Sequence, residues 1–562
     1  MKKSILLLLC VLSLLFFSCK KESPATIINR DGSVSILKVD EDGKAVLYDK
    51  KFQEFTGVTK VKLSKTEKRN PITIDLSEYS NKDALIDFNM DIFIDDPSGK
   101  TNTVVWVLND VEAKLPHLAD AKIEANKWTN LNSQFFVHIG ENRQIFLSGA
   151  GFDKENVTIY IKNLNVQLSG DGIGTMKSLN ETWTQAPSIK EAYKGIFDYF
   201  GFAVTFNNYL DGEEIQAGVK HHADVITMGN EFKPDFVFGW GSPYEFVDFT
   251  GEDGKTYKVP FDRPRFVTVD RCLQICKDNG LKMRSHVLVW HSQTPEWFFM
   301  EEYGLGESGD YVGVDEMNAR LEWYIKNFME HVANWEKENN NGEHIIVTWD
   351  VVNEAASDGA TDNAYLRTES NWYEIYNNED FIVNAFRYAN KYAPKDVELV
   401  YNDYNCYQDN KLKAICKIID AIQAAPDARI DAIGMQSHVN INSPAITGKK
   451  SFESAVQTFV SKGLNVQVTE LDIANGKEPY NPYKLKGVYK NYFEMFIKNR
   501  KTETSKGIEG VSIWGLEDEG TWLNNLSQYN GNTQYPLLFT GEDFKCKPAF
   551  YGVLEAAESF TE

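Results

Sequence analysis

The sequence predicts two folds in tandem: an antiparallel β-sandwich, followed by a larger α/β domain built as a (β/α)₈ barrel. Three observations carry this. Up to about residue 180 apolar residues alternate with a period of two, as in half-buried strands, whereas beyond it short apolar runs alternate with amphipathic helical stretches. Eight such strand–helix units fit within about 370 residues, the size of a barrel with loop insertions. Finally, two apolar runs end in Asn353-Glu354 and in Glu470-Leu471-Asp472. A buried parallel strand that turns polar at its C-terminal end belongs at the mouth of such a barrel.

In chain order, residues 1–19 read as a targeting segment. Lys2 and Lys3 form a basic start and Ile5 to Phe17 a short apolar core, as in a secretory signal. The core ends at Ser18-Cys19, which resembles a bacterial lipoprotein cleavage site. That resemblance implies cleavage before Cys19 and lipid on its sulfur, hence attachment to the cell envelope by the lipid alone. A plain signal peptide is the alternative. No other apolar run of the sequence approaches the ~18 residues that a membrane helix needs.

Residues 20–32 are polar and read as a linker. Over 33–180 the strand pattern dominates: Ile86–Ile92 alternates strictly, and Val104–Leu108, Phe135–Val137 and Val157–Ile161 are further strands. With no helical period among them, a sandwich fits. Thr182–Ser188, with Pro187, reads as a second linker, and the barrel is expected over 188–560. Its strands are predicted at Phe202–Phe206, Val225–Met228, Met283–Trp290, Ile345–Val352, Glu398–Tyr401, Ala432–Met435, Asn465–Thr469 and Val511–Trp514. Helices are predicted at Val269–Asn279, Met317–Trp335, Phe381–Ala393 and Phe452–Lys462, with Phe238–Arg263 as an insertion.

Composition narrows the function. Lys and Arg number 59 against 81 Asp and Glu, a net charge of −22, which argues against nucleic acid or an anionic membrane surface as partner and suits a neutral substrate. The 12 Trp, 26 Tyr and 34 Phe belong mostly to cores, but flat aromatic faces can also carry sugar rings. Beyond Cys19 the cysteines are Cys272, Cys276, Cys406, Cys416 and Cys546, an odd set that cannot pair completely. Cys272 and Cys276 share one face of a predicted helix and read as core thiols. No Cys/His spacing suggests zinc, so neither metal nor cofactor is expected.

A single strand-end glutamate could simply be solvated. Two at one barrel mouth are what cleavage of a glycosidic bond requires. One carboxyl gives its proton to the leaving oxygen and the other, ionised, attacks the anomeric carbon, at about 5–5.5 Å in a retaining pair.

The stretch Lys282–Trp297, with Trp349–Glu354 and Val468–Asp472, resembles glycoside hydrolase family 10, the endo-β-1,4-xylanases. The resemblance runs from about 190 to 558 and includes Tyr401–Asn405, Gln436-Ser437-His438, Trp514-Gly515, Trp522 and Pro536–Phe539 in order. It implies that Glu354 is the acid/base and Glu470 the nucleophile of a retaining hydrolysis of xylan and xylo-oligosaccharides. Asn353 would bond the sugar 2-hydroxyl, and His438, held by Asp472, would orient the nucleophile. His286, Trp290 and Gln293 would bind the sugars beside the cleaved bond, and Asn230 and Lys233 would form the first sugar-binding loop. Asn402 and Gln436 would be polar groups around the catalytic pair, Tyr404 an aromatic on the leaving-group side, and Trp514 and Trp522 walls of the cleft. In the other half, Lys122–Trp128 and Val157–Leu168 loosely resemble the jelly-roll carbohydrate-binding modules found beside xylanases. There Trp106 and Trp128 either stack on sugar or pack the core.

The sequence departs from the family at Gly229, where many members carry Glu, and at Phe232, where Met is common. A β-1,4-glucanase on the same scaffold differs only in whether the cleft admits a hydroxymethyl group. A non-catalytic xylan-binding surface lipoprotein would have no need of both Glu354 and Glu470. A monomer is expected.

Overall fold

The computed structural model describes the strands between residues 36 and 169, with the turns at 96–99 and 124–128, and residues 181–560 apart from 207–211, 479 and 530. In the first part, side chains are described at 91–94, 96–99 and 123–130. The targeting segment with Cys19, the stretch 20–32 and the side chain of Trp106 therefore lie outside the described residues. The chain forms two compact units, Met1–Lys177 and Ser178–Glu562.

The first unit holds two sheets, antiparallel except for one parallel pair. One orders its strands as Ile36–Lys38, Ile72–Asp75, Gln144–Gly149, Asn102–Leu108 and His117–Ile123. The other runs Lys44–Val46, Thr158–Ser169, Lys82–Asp95, Thr129–Ile139, with Val58–Val61 also on Thr158–Ser169. Ile92 and Ile94, two apart and so on one face of their strand, are both fully buried. Trp128 is 37% exposed, its ring 5.6 Å from that of Phe93.

The second unit is a closed barrel of eight parallel strands. They are β1 Tyr199–Val204, β2 Val225–Met228, β3 Lys282–Trp290, β4 Ile346–Asn353, β5 Glu398–Asp403, β6 Ala432–Met435, β7 Asn465–Ala474 and β8 Ile508–Ile513. Each pairs with its sequence neighbour, and β8 returns to β1. A short strand, His438–Asn440, prolongs β6 along the end of β7. Among the connecting helices, Val267–Asn279 buries Cys272 and Cys276 completely, and both thiols are free.

Two expectations needed correction. Strands β1 and β8 start three residues earlier than predicted, and each added stretch contains a glycine. A Cβ at Gly201 would press to 2.7 Å from the Val225 carbonyl oxygen, and one at Gly510 to within 2.2 Å of the Tyr199 ring. Here glycine permits close approach of neighbouring groups rather than ending the strand. Thr182–Ser188 is not a linker. Thr182 bridges to Lys545, Trp183 is buried with its ring stacked at 4.2 Å on Phe544, and Ser188 caps the helix Ile189–Ala192. Its burial of a whole indole fixes this segment to the barrel. The expected insertion 238–263 is present and holds an antiparallel hairpin, Phe246–Thr250 with Thr256–Pro260.

Candidate active site

The C-terminal ends of the barrel strands enclose an open cleft of about 850 Å³. Strand β7 carries Glu470 and Asp472, both buried. Glu354 follows the last residue of β4, with φ at 56°. A left-handed conformation is uncommon for a non-glycine residue and is held only where the surroundings dictate it. Here the Glu354 N–H donates to the Asn402 carbonyl at 2.9 Å, and its own carbonyl accepts from Arg367 Nε at 3.0 Å. Gln293 and Ser437, beside the same cleft, also have positive φ.

The two carboxylates sit at opposite ends of a chain of amides. Asn402 Nδ2 donates to Glu470 Oε1 at 2.7 Å and to Asn353 Oδ1 at 3.1 Å. Asn353 Nδ2 in turn donates to Glu354 Oε1 at 3.2 Å. Gln436 Nε2 donates to both Asn353 Oδ1, at 3.0 Å, and Glu354 Oε1, at 2.8 Å. Trp290 Nε1 donates to the other Glu354 oxygen at 3.1 Å. Three side chains, Asn353, Gln436 and Trp290, thus donate to the Glu354 carboxylate and hold its orientation at the mouth.

Around Glu470 the arrangement is different. His438 Nε2 lies 3.2 Å from Glu470 Oε2, and its Nδ1 lies 2.9 Å from Asp472 Oδ2. Burial by itself would lower the His438 pKa, but the charge and hydrogen bond of Asp472, with the hydrogen bond to Glu470, raise it to about 10. The ring is therefore an imidazolium that donates to both carboxylates. Burial pushes the Glu470 carboxyl up, yet the His438 hydrogen bond, the nearby His286 and His438 rings and the Asn402 amide together hold it below the usual range. A carboxylate kept ionised and facing a cleft is a nucleophile in waiting.

At one end of the cleft, Lys233 Nζ donates to Gln293 Oε1 at 2.8 Å and approaches Asn230 Oδ1 at 3.4 Å. Burial lowers the Lys233 pKa against the opposing pull of Glu470, Asp235 and Glu354. The ammonium also lies 5.0 Å from the centre of the Trp290 ring. Gly229 lines the same end. At the other side, Tyr404 lines the cleft, its hydroxyl bonded to Arg367 and Asp358. Trp514 meets His286 and His438 edge-on, with ring centres 5.8 and 6.3 Å apart.

The structure makes two of the sequence-predicted roles more specific. Asn402, expected as a polar group around the catalytic pair, is completely buried on β5 and acts from beneath the cleft rather than lining it. It holds Glu470 and receives Thr469 Oγ1 at 2.7 Å. Trp522, 37% exposed, is more than a wall: its Nε1 donates to Asp472 Oδ2 at 2.9 Å, joining it to the His438 relay.

Sequence reading missed the support beneath the cleft. Fully buried Arg284 bonds Asp350 at 2.6 Å and Gln467 at 2.8 Å, and Asp350 Oδ2 lies 2.9 Å from His286 Nδ1. Asp350 so orients the His286 ring toward the cleft. Removing one partner of a buried ion pair costs about 3–5 kcal/mol, so Arg284 and Asp350 belong to fold and site alike. The available signal was a charge inside an otherwise apolar strand, with Arg284 and His286 two apart on one face. Among the described residues, no group of His, Cys, Asp and Glu side chains is arranged to hold a metal ion.

Comparison with known proteins agrees with this geometry. The profile of glycosyl hydrolase family 10 matches residues 188–556. Endo-1,4-beta-xylanase Y of Acetivibrio thermocellus is 31% identical over 388 residues, 67% of this chain and 33% of that protein. The bifunctional endo-1,4-beta-xylanase of Ruminococcus flavefaciens is 32% identical over 383 residues, 67% of this chain and 35% of that one. The chain thus spans about a third of the length of these two relatives. Among solved structures, the CBM22-1–GH10 modules of a Clostridium thermocellum endo-1,4-beta-D-xylanase, complexed with xylohexaose, share 25% identity at a TM-score of 0.53. That likeness covers 86% of this chain and 87% of the other.

Proposed function

Since the chain belongs to glycosyl hydrolase family 10, we propose that it is an endo-1,4-β-xylanase that cleaves xylan and xylo-oligosaccharides with retention of configuration. The observation that carries this reading is the unequal environment of two carboxyls at one barrel mouth. Glu470 is held ionised by His438 and Asn402, whereas Glu354 is gripped by neutral donors from Trp290, Gln436 and Asn353. Glu470 attacks the anomeric carbon while Glu354 protonates the departing oxygen. Water, deprotonated by Glu354, then releases the sugar from Glu470. The choice of xylan as substrate is supported by the two relatives above, each named an endo-1,4-beta-xylanase. The full chain incubated with soluble xylan should yield xylo-oligosaccharides, and with cellulose essentially nothing. Cellulose cut as well as xylan would replace this reading by the glucanase.

The relay gives a pH prediction. Glu470 must be ionised to attack, so its pKa sets the acidic limb of kcat/KM. In His438→Ala that carboxyl loses a donor and a positive neighbour while its burial remains. Its pKa rises, and the acidic limb should move to higher pH. A limb that stays in place, with only kcat reduced, would remove His438 from control of Glu470.

The address of the enzyme is part of the same proposal. Ser18-Cys19 after an apolar core supports a lipid-anchored protein of the cell envelope, with the N-terminal sandwich as a carbohydrate-binding module. Expressed in bacteria, Cys19→Ala should pass from the membrane fraction to the soluble one. An unchanged membrane fraction would refute the anchor.

A further inference from the structure

Most exposed aromatic side chains of the described residues fall on one segment of the chain. Besides Trp128 and the cleft residue Trp522, the exposed aromatic side chains among the described residues are Phe236, Trp240, Tyr244 and Phe261. Trp240, Tyr244 and Phe261 are each about two-thirds exposed, at 69%, 68% and 67%. All four lie on the insertion or its stem. A chain with a net charge of −22 does not expose such a group without cause.

The stem is tied to one end of the cleft. The Asp235 N–H donates to the Gln293 carbonyl at 2.7 Å, and Gln293 Nε2 donates to Asp235 Oδ2 at 3.2 Å. Gln293 itself receives Lys233. Phe236 is thus the residue after one that fixes a cleft side chain. Outward from there the insertion is braced: Gly239 O accepts from Trp297 Nε1 at 3.0 Å, Arg265 N–H donates to Val237 O at 2.8 Å, and Phe261 N–H donates to Glu245 O at 2.9 Å. The aromatic side chains therefore stand on a fixed ribbon. Several of its charges are paired, Asp262 with Arg263, Asp248 with Lys258 and Asp253 with Lys255.

Resting on the xylanase reading, we propose that Trp240 and Tyr244, with Phe236 and Phe261, form a platform for the xylan chain where it leaves the Asn230–Lys233–Gln293 end of the cleft. Neutral pyranose rings present C–H faces that aromatic rings cover well, and a braced platform holds them with little ordering cost. The platform would serve long chains, since a short oligosaccharide ends inside the cleft.

The test compares the full chain with Trp240→Ala/Tyr244→Ala, both substitutions lying at the surface. On soluble xylan, kcat/KM should fall about fivefold, mainly through KM, as expected for losing aromatic stacking faces. On xylotriose it should be unchanged, with unchanged melting temperature. Equal kinetics of the two proteins on polymer would overturn the platform, as would an equal loss on both substrates. Altered oligomeric state or altered binding to phospholipid vesicles, with unchanged kinetics, would assign the patch to a second copy or to a membrane and overturn it too. If the unaltered chain cuts no xylan, it is the xylanase reading that fails; if it does and the variant matches it, only the platform fails.

Discussion

Glu470→Ala should abolish turnover of xylan, with kcat reduced on the order of 10⁴-fold or more, because no covalent intermediate can form without the attacking carboxylate. Binding of xylo-oligosaccharide should survive, since the sugar contacts expected of Lys233, Gln293, Trp290 and Trp514 do not pass through Glu470. The shortened side chain leaves Asn402 and His438 each short of an acceptor. Some loss of stability is therefore expected, and Glu470→Gln, which keeps the shape, separates it from the chemical effect. Titration calorimetry beside initial rates checks both parts. Near-normal turnover in either variant would take the nucleophile's role away from Glu470.

Glu354→Ala should show a different signature. Protonation matters when the leaving group is a sugar alkoxide and hardly at all when it is an activated phenol. The loss on xylan should therefore be about 10²–10⁴-fold, the range of general acid catalysis, and that on the first step with a dinitrophenyl xylobioside small. Breakdown of the glycosyl-enzyme also loses its base, so the covalent intermediate should accumulate. Azide, which needs no base, should restore release and yield a β-glycosyl azide. In the structure, removing the Glu354 carboxylate frees Trp290 Nε1 and Gln436 Nε2 at the mouth, leaving space and donors for the small anion. Equal losses on both substrates without azide rescue would point to another acid.

The contrast between the two variants follows from where the side chains sit. Glu470 belongs to the buried run of β7 and is met by charged and amide donors; Glu354 lies one residue beyond β4, in a strained turn. Both were legible in sequence, because an apolar strand that ends in a carboxylate is a local pattern. The barrel was legible for the same reason. Its eight strands each carry a short run rich in apolar residues, and the helices between them, such as Val267–Asn279 and Asp380–Tyr392, keep a clear buried face. The loop residues Asn230, Lys233 and Gln293 came from resemblance rather than from periodicity, and the structure brings them together at one end of the cleft.

What the sequence by itself determined, then, was everything that local pattern encodes: the change from period two to alternating strands and helices, the eight apolar runs, the core thiols, and the acidic strand ends. Tertiary structure alone decided what depends on residues far apart in the chain. The starts of β1 and β8 depend on Gly201 and Gly510, where neighbouring groups come close enough to exclude a Cβ, and Trp183 read as linker until Phe544 stacks on it. That Asn402, expected near the catalytic pair, would bond Glu470, 68 residues away, was likewise decided by the closed barrel. The Arg284–Asp350–His286 chain and the bond from Trp522 to Asp472 have the same origin. A hydrogen bond between groups buried in low dielectric is decided by which partners the closed barrel brings within about 3 Å, and that distance is fixed by the packing of all eight strands rather than by any one of them.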